Sequence, residues 1–135
     1  MPRILRSETI PVRTESDLLQ VRQQVRERAT EVGFGVFDLT RIVTAASELG
    51  RNMLTHGKGG TMLLETLVED RSSGVRLTFE DNGPGIADLG QAMTKGFSTG
   101  GGLGLGLGGA KRLVNEFEIV SRVGEGTRVT VTRWI

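Results

Sequence analysis

The chain has 135 residues, 17 of them basic and 16 acidic, for a net charge of +1; that is the length for one core, with no electrostatic footprint for nucleic acid or a charged membrane surface. It has no cysteine, so neither a disulfide framework nor a zinc site can be built, and any metal must use oxygen ligands. No apolar run approaches the ~18 residues of a membrane span, and Met1-Pro2-Arg3-Ile4 lacks the apolar core of a leader, which predicts a soluble, cytoplasmic protein.

Ile4, Ile10 and Val12, set among polar neighbours with Pro11 between them, predict an edge strand over residues 3–12. From Ser16 onward Leu18, Leu19, Val21, Val25, Ala29 and Val32 recur at helical spacing, with Asp17 in the first turn and Gly33 past the end. Arg22, Gln23, Gln24, Arg26, Glu27 and Arg28 make the solvated face of this helix. A second helix, capped by Asp38, carries Leu39, Ile42, Val43, Ala45, Ala46, Leu49 and Met53 and has almost no polar side, so it is mostly buried. Within it Glu48 and Asn52 stand one turn apart on one face. A carboxylate and a carboxamide so placed can share a magnesium-bound ligand, or can simply hydrogen-bond locally. His56 and Gly57 end the helix.

Two strands follow, over 61–69 and 74–81, joined by a turn at 70–74. Val75, Leu77 and Phe79 alternate with Arg76, Thr78 and Glu80, a half-buried pattern that delivers Asp81 to the strand's end. Gly83 and Gly85 flank Pro84 there, and without Cβ atoms they let a flat ligand lie against the chain. A short helix is predicted over 87–93. The run from Gly100 to Gly109 can be neither a strand nor a stable helix throughout, and a helix is expected over 110–114, its first amides facing whatever the glycines expose. A phosphate group is the natural guest. Strands over 118–123 and 128–134, separated by a tight turn at 124–127, close the chain.

Gly104-Leu105-Gly106-Leu107-Gly108-Gly109 satisfies the dinucleotide pattern G-x-G-x-x-G, but that fingerprint belongs after the first strand of a βαβ unit, with an acid ending the next strand. Here the chain is nearly over. A P-loop fails too, since Gly109-Ala110-Lys111-Arg112 lacks the glycine and the hydroxyl at the required places.

Three blocks remain: Ser47-Glu48-Leu49-Gly50-Arg51-Asn52 on a helix, Asp81-x-Gly83-x-Gly85 leaving a strand, and Gly102-x-Gly104-x-Gly106 entering a helix. In that order they resemble the N, G1 and G2 boxes of the Bergerat-fold (GHKL) ATPases. Residues 6–134 are most similar to the anti-sigma-factor kinase branch, the switch serine/threonine kinases of the stressosome pathway. The resemblance implies an α+β fold, a two-layer α/β sandwich of the Bergerat (histidine-kinase-like ATPase) type with a mixed, mostly antiparallel sheet and helices on one face, forming a single domain over 1–135. It implies ATP and Mg2+ as cofactors. Asp81 would accept a hydrogen bond from the adenine amino group, Gly83 and Gly85 would let the base approach, and Thr127 would stand beside it. Asn52 would be the magnesium ligand and Glu48 the base acting on an attacking hydroxyl. Gly102, Gly104, Gly106 and Leu107 would form the phosphate cradle. The implied partners are STAS-domain protein substrates (RsbS/RsbR-like) and a PP2C-type phosphatase (RsbU-like), with neither nucleic acid nor membrane. The alternative is a nucleotide-regulated anti-sigma or activator binding module without significant kinase activity, which needs Asp81 and Asn52 but no base at Glu48. Gly108 stands where that branch commonly carries proline, a change expected to loosen the turn into the helix.

Overall fold

The computed structural model describes residues 1–83 and 106–135. Its elements are β1 (Arg3–Val12), α1 (Glu15–Glu31), α2 (Val36–His56), β2 (Gly60–Glu69), β3 (Ser72–Asp81), α3 (Gly106–Arg112), β4 (Glu116–Arg122) and β5 (Gly126–Trp134). The strands form one sheet in the order β1-β2-β3-β5-β4. Every pairing among the described residues is antiparallel, so the sheet expected to be mixed shows no parallel pair there.

Alternation along the strands decides which face is wet. Met62 and Leu64 of β2, Val75, Leu77 and Phe79 of β3, and Val129 and Val131 of β5 are buried together with Val21 and Val25 of α1 and Ile42, Ala46, Leu49 and Met53 of α2. The helices therefore cover one face of the sheet, the two-layer α+β architecture expected. On the other face Arg76 holds Glu65 through two hydrogen bonds of 2.8 and 3.1 Å, which pairs an otherwise buried carboxylate.

Local chemistry accounts for the element ends. The Thr14 hydroxyl accepts from the Asp17 amide at 3.0 Å and the Asp17 carboxylate accepts from the Arg13 amide at 2.9 Å, a reciprocal cap that starts α1. Asp38 does not cap α2. That helix begins at Val36 behind Gly35, and Asp38 in its first turn instead receives Arg133 Nη2 at 2.7 Å and Nε at 3.0 Å. The same guanidinium donates to the Leu113 carbonyl at 3.2 Å, so one side chain ties β5 to the start of α2 and to the exit of α3. Arg28, expected in solvent, is only 8% exposed and lies between Glu8 of β1 and Glu31 of α1. Helical spacing sees neighbours on one helix, whereas the partner on β1 comes from the tertiary fold. Leu19, expected on the buried face, is exposed.

The β2–β3 connection is also tighter than expected. Glu69 pairs with Ser72, leaving Asp70 and Arg71 as a two-residue turn with Asp70 at φ 54°. Gly74 therefore sits inside β3, where a Cβ would come within 3.0 Å of three ring atoms of Trp134. α3 starts at Gly106 and stops at Arg112, four residues before and two residues short of the expected 110–114, and β4 starts at Glu116. Packing overrode propensity in α3: Leu107 and Ala110 join the core and α3 lies against α2, which a glycine-rich helix can approach closely. Gly108, flagged as a departure, lies in this helix. The helix predicted over 87–93 falls outside the described residues.

Candidate functional site

Directly opposed residues of an antiparallel sheet project from the same face. Across β3, β5 and β4 the register stacks Leu77, Val131 and Phe117 in one row, Phe79, Val129 and Ile119 in the next, and Asp81, Thr127 and Ser121 in a third. Two rows are apolar and belong to the core or pack against it. The third is polar, so the helix-side face changes character at this strand end.

The Asp81 carboxylate lies half-buried there, and Gly83 donates its amide to Oδ1 at 2.8 Å. Burial holds the carboxyl above the usual carboxylate range, against the opposing pull of the Gly83 and Thr127 amides, which favour the charged form. Gly57, the residue that closes α2, leaves the room. A Cβ on it would lie within 2.9 Å of Cγ, Oδ1 and Oδ2 of Asp81. A Cβ on Gly83 would lie within 2.9 Å of the Gly57 backbone, and one on Gly126 within 3.0 Å of the Asp81 carbonyl group and of Asn82 Cα. Besides the ligand approach expected of it, the missing side chain of Gly83 makes way for the end of α2. Beyond Thr127, Ser121 Oγ lies 2.8 Å from Thr127 Oγ1 and donates to the Gly126 carbonyl at 3.2 Å.

α2 sorts the block from Ser47 to Asn52 by direction. Gly50 faces α1, where its Cβ would meet Leu18 Cδ1 at 2.5 Å, and Ser47 on the same flank accepts from Arg22 Nε at 2.8 Å. Leu49 enters the core, and Arg51 reaches Glu15 of α1. Arg51 thus takes its partner from another helix rather than from Glu48 on its own. At ~100° per residue, Glu48 and Asn52 point about 160° and about 200° around from Gly50, to the flank away from α1. Glu48 is 7% exposed and Asn52 is half-buried. Counting ~1.5 Å per residue back from Gly57, Asn52 stands ~7.5 Å and Glu48 ~13.5 Å along the axis from the Asp81 corner.

Of the expected glycines, Gly85, Gly102 and Gly104 fall outside the described residues, and Gly106 is the first residue of α3. Leu107 is buried at 7% exposure, which leaves its backbone rather than its side chain to offer a ligand. An open depression of about 280 Å³ flanks the polar row, edged by Glu80, Asn82, Arg122, Glu125 and Arg128. With Asp81, three acids face two bases along it, so it has no preference for an anion. Among the described residues no three His, Asp or Glu side chains cluster as a metal cage; Asn52 suits a hard cation whose remaining ligands come from a bound molecule or water. The sequence shows Gly57 only as a helix end and gives no signal for Gly126 or Ser121, because their place at this corner depends on which atoms the fold brings to Asp81.

Residues 37–134 match the family model described as histidine kinase-, DNA gyrase B-, and HSP90-like ATPase. The chain is 43% identical over 126 residues to the serine/threonine-protein kinase RsbT of Bacillus subtilis, spanning 93% of this chain and 95% of that one. It is 31% identical over 103 residues to an anti-sigma F factor of Anoxybacillus flavithermus, over 71% of this chain and 69% of that one. Among solved structures, the RsbU and RsbW domains of a Mycobacterium tuberculosis protein superpose with a TM-score of 0.61 at 26% identity; the match covers 98% of this chain and 32% of that one. A histidine kinase domain from Erythrobacter litoralis shares the fold, with a TM-score of 0.50 at 22% identity over 91% of this chain and 60% of that one.

Proposed function

From a chain that belongs to the histidine kinase-, DNA gyrase B- and HSP90-like ATPase family, within its serine/threonine-protein kinase branch, we propose a cytoplasmic partner-switching kinase. It phosphorylates a serine or threonine of a STAS-domain protein and, once released, binds and activates a PP2C-type phosphatase. Residues 1–135 act in this as one ATPase domain. The observation that carries the reading is the Asp81 corner: a carboxylate acceptor at a strand end, with Glu48 and Asn52 aligned behind it along one flank of α2.

In this reading Asp81 accepts from the adenine amine, with Thr127 beside it and Gly85 against the base. Gly102, Gly104, Gly106 and the Leu107 backbone would hold the phosphates. ATP would supply the phosphoryl group, and magnesium held by Asn52 would offset its charge. Glu48 takes the proton from the partner's hydroxyl as its oxygen attacks the γ-phosphorus, the bond to the bridging oxygen breaks and ADP leaves, and the low exposure of Glu48 keeps bulk water from competing for that proton.

The relatives called anti-sigma F factors favour a second reading, a nucleotide-regulated binding switch. Glu48→Gln separates the two, because it keeps shape and hydrogen bonding but removes the proton acceptor. Single-turnover transfer from ATP to the partner's hydroxyl should slow by ~10²–10⁴-fold, with ATP affinity little changed in a parallel titration. Full transfer by the variant would favour the switch.

A further inference from the structure

The flank of α2 that carries Glu48 continues toward the start of the helix. Phe37, Arg41, Thr44 and Glu48 follow at the spacing of one helix face, and at ~100° per residue the first three point within about 40° of Glu48. Exposure falls along this stripe: Phe37 is 78% exposed and Arg41 is exposed, Thr44 is half-buried and Glu48 is buried. Val36 before Phe37 is exposed as well, so the apolar surface there is more than one side chain. The exit of α3 borders the same turns. Arg133 joins Asp38 to the Leu113 carbonyl, which brings the exposed Lys111 and Arg112 to the Asp38 side of the first turns of α2. Around the helix Arg41 lies between Phe37 and Asp38. Asp38 is already paired with Arg133, and among the described residues Arg41, Lys111 and Arg112 have no ion pair.

We propose that the stripe of Phe37, Arg41 and Thr44 is the docking track for the protein that brings its hydroxyl to Glu48, and that the matching face of that protein is acidic around an apolar pocket. This rests on the reading in which Glu48 acts on a partner's hydroxyl, and says where that partner sits. At ~1.5 Å per residue Phe37 stands ~16.5 Å along the axis from Glu48. A standard interface covers ~800 Å² on each side, a patch ~30 Å across, so a partner that reaches a buried carboxylate at one end of the stripe has Phe37 within its footprint. The charges choose the occupant. A second copy meeting this face through a two-fold axis would set Arg41 and its neighbouring cations against themselves, whereas an acidic face meets three bases that have no acid of their own. A large aromatic seated in a pocket is the kind of anchor that carries most of an interface's energy, and the surrounding charges add speed and selectivity.

The test is phosphate transfer from ATP by the full chain to a STAS-domain protein that the wild type phosphorylates, followed against the concentration of that protein. Phe37→Ser and Arg41→Glu should each raise KM for the protein by about ten- to thirtyfold. ATP affinity by calorimetry, and the transfer rate at saturating partner, should stay within about twofold of wild type, the signature of lost docking rather than lost chemistry. The wild-type KM should rise with salt, and Arg41→Gln should flatten that rise. Val123→Ser removes an equally open apolar side chain at the β4–β5 turn and should change nothing. An unchanged KM in Phe37→Ser and Arg41→Glu, the same rise in Val123→Ser, or a wild-type KM indifferent to salt would overturn the docking track while leaving the kinase reading in place. A wild-type dimer in ultracentrifugation that Phe37→Ser dissolves would overturn it too, by giving the stripe to a second copy. A wild type that phosphorylates no STAS-domain protein would remove the reading beneath it and the inference together.

Discussion

Gly57→Ala isolates the geometry of the Asp81 corner from the fold around it. The backbone at Gly57 is helical, φ −93° and ψ −2°, so alanine is sterically at ease there and should gain a few tenths of a kcal/mol from reduced freedom of the unfolded chain. The cost falls on Asp81. The new Cβ would stand 2.4 Å from Cγ and Oδ2 and 2.9 Å from Oδ1 of Asp81, whereas an ordinary contact needs about 3.5 Å, so the carboxylate must withdraw by ~0.6 Å at Oδ1 and by ~1 Å at its nearer atoms. It now accepts from the Gly83 amide at 2.8 Å, and a shift of that size takes it to the edge of hydrogen-bonding range. Losing a hydrogen bond to a charged group costs about 1.5–3 kcal/mol, or roughly ten- to hundredfold in Kd. ATP affinity measured by calorimetry should fall by that factor, while the thermal midpoint moves by only a few degrees. Gly35→Ala is the control, since a Cβ there meets nothing within 4 Å. Unchanged affinity in Gly57→Ala, or a loss matched by collapse of the fold, would refute the role given to this glycine.

Asp81→Asn should abolish ATP binding and yet be at least as stable as the wild type at neutral pH. Because burial raises the folded pKa of Asp81, the folded state binds its proton more tightly than the unfolded one, so wild-type stability rises as pH falls through the folded pKa and the advantage of asparagine fades in acid. Thermal unfolding across a pH series checks it, and an asparagine variant less stable at pH 7 would count against it. Asn52→Ala should weaken ATP binding with magnesium present and much less with the metal chelated; equal loss in both titrations would take the metal away from Asn52. Arg133→Ala strands Asp38 and frees the Leu113 carbonyl, and on a partly buried pair should cost about 1–3 kcal/mol in denaturant unfolding with nucleotide affinity nearly intact. A stability change under half a kcal/mol would reduce that pair to a surface contact.

The sequence showed what acts along the chain. Period two brought Asp81 to a strand end, period 3.6 put Glu48 and Asn52 on one flank, and the buried face of α2 followed from its near-continuous apolar residues. What acts across the chain stayed hidden. Arg28 reads as a solvated helix residue until β1 brings Glu8 to it. Gly74 reads as a turn glycine until Trp134 covers it, and Asp38 reads as a cap until Arg133 arrives from the other end of the sequence. Ser121 had no signature at all, since its importance depends on standing opposite Thr127 in a register set by the β4–β5 turn.

The polar row also bears on the order of folding. β2 and β3 meet through a two-residue turn, but β3 finds β5 only across a long excursion, as Thr78 and Thr130, 52 residues apart, show. Closing a loop of that size carries an entropic cost that the local hairpin does not. A chain with α1, α2 and the first three strands assembled would already own Asp81 and Gly57, and would still lack Thr127 and Ser121. Affinity for the base thus arrives with the long-range pairing of β3 and β5. A ligand held at that corner bridges one of the sheet's two long-range closures, the other being β1 with β2, and at concentrations well above its Kd it biases the whole chain toward the completed sheet.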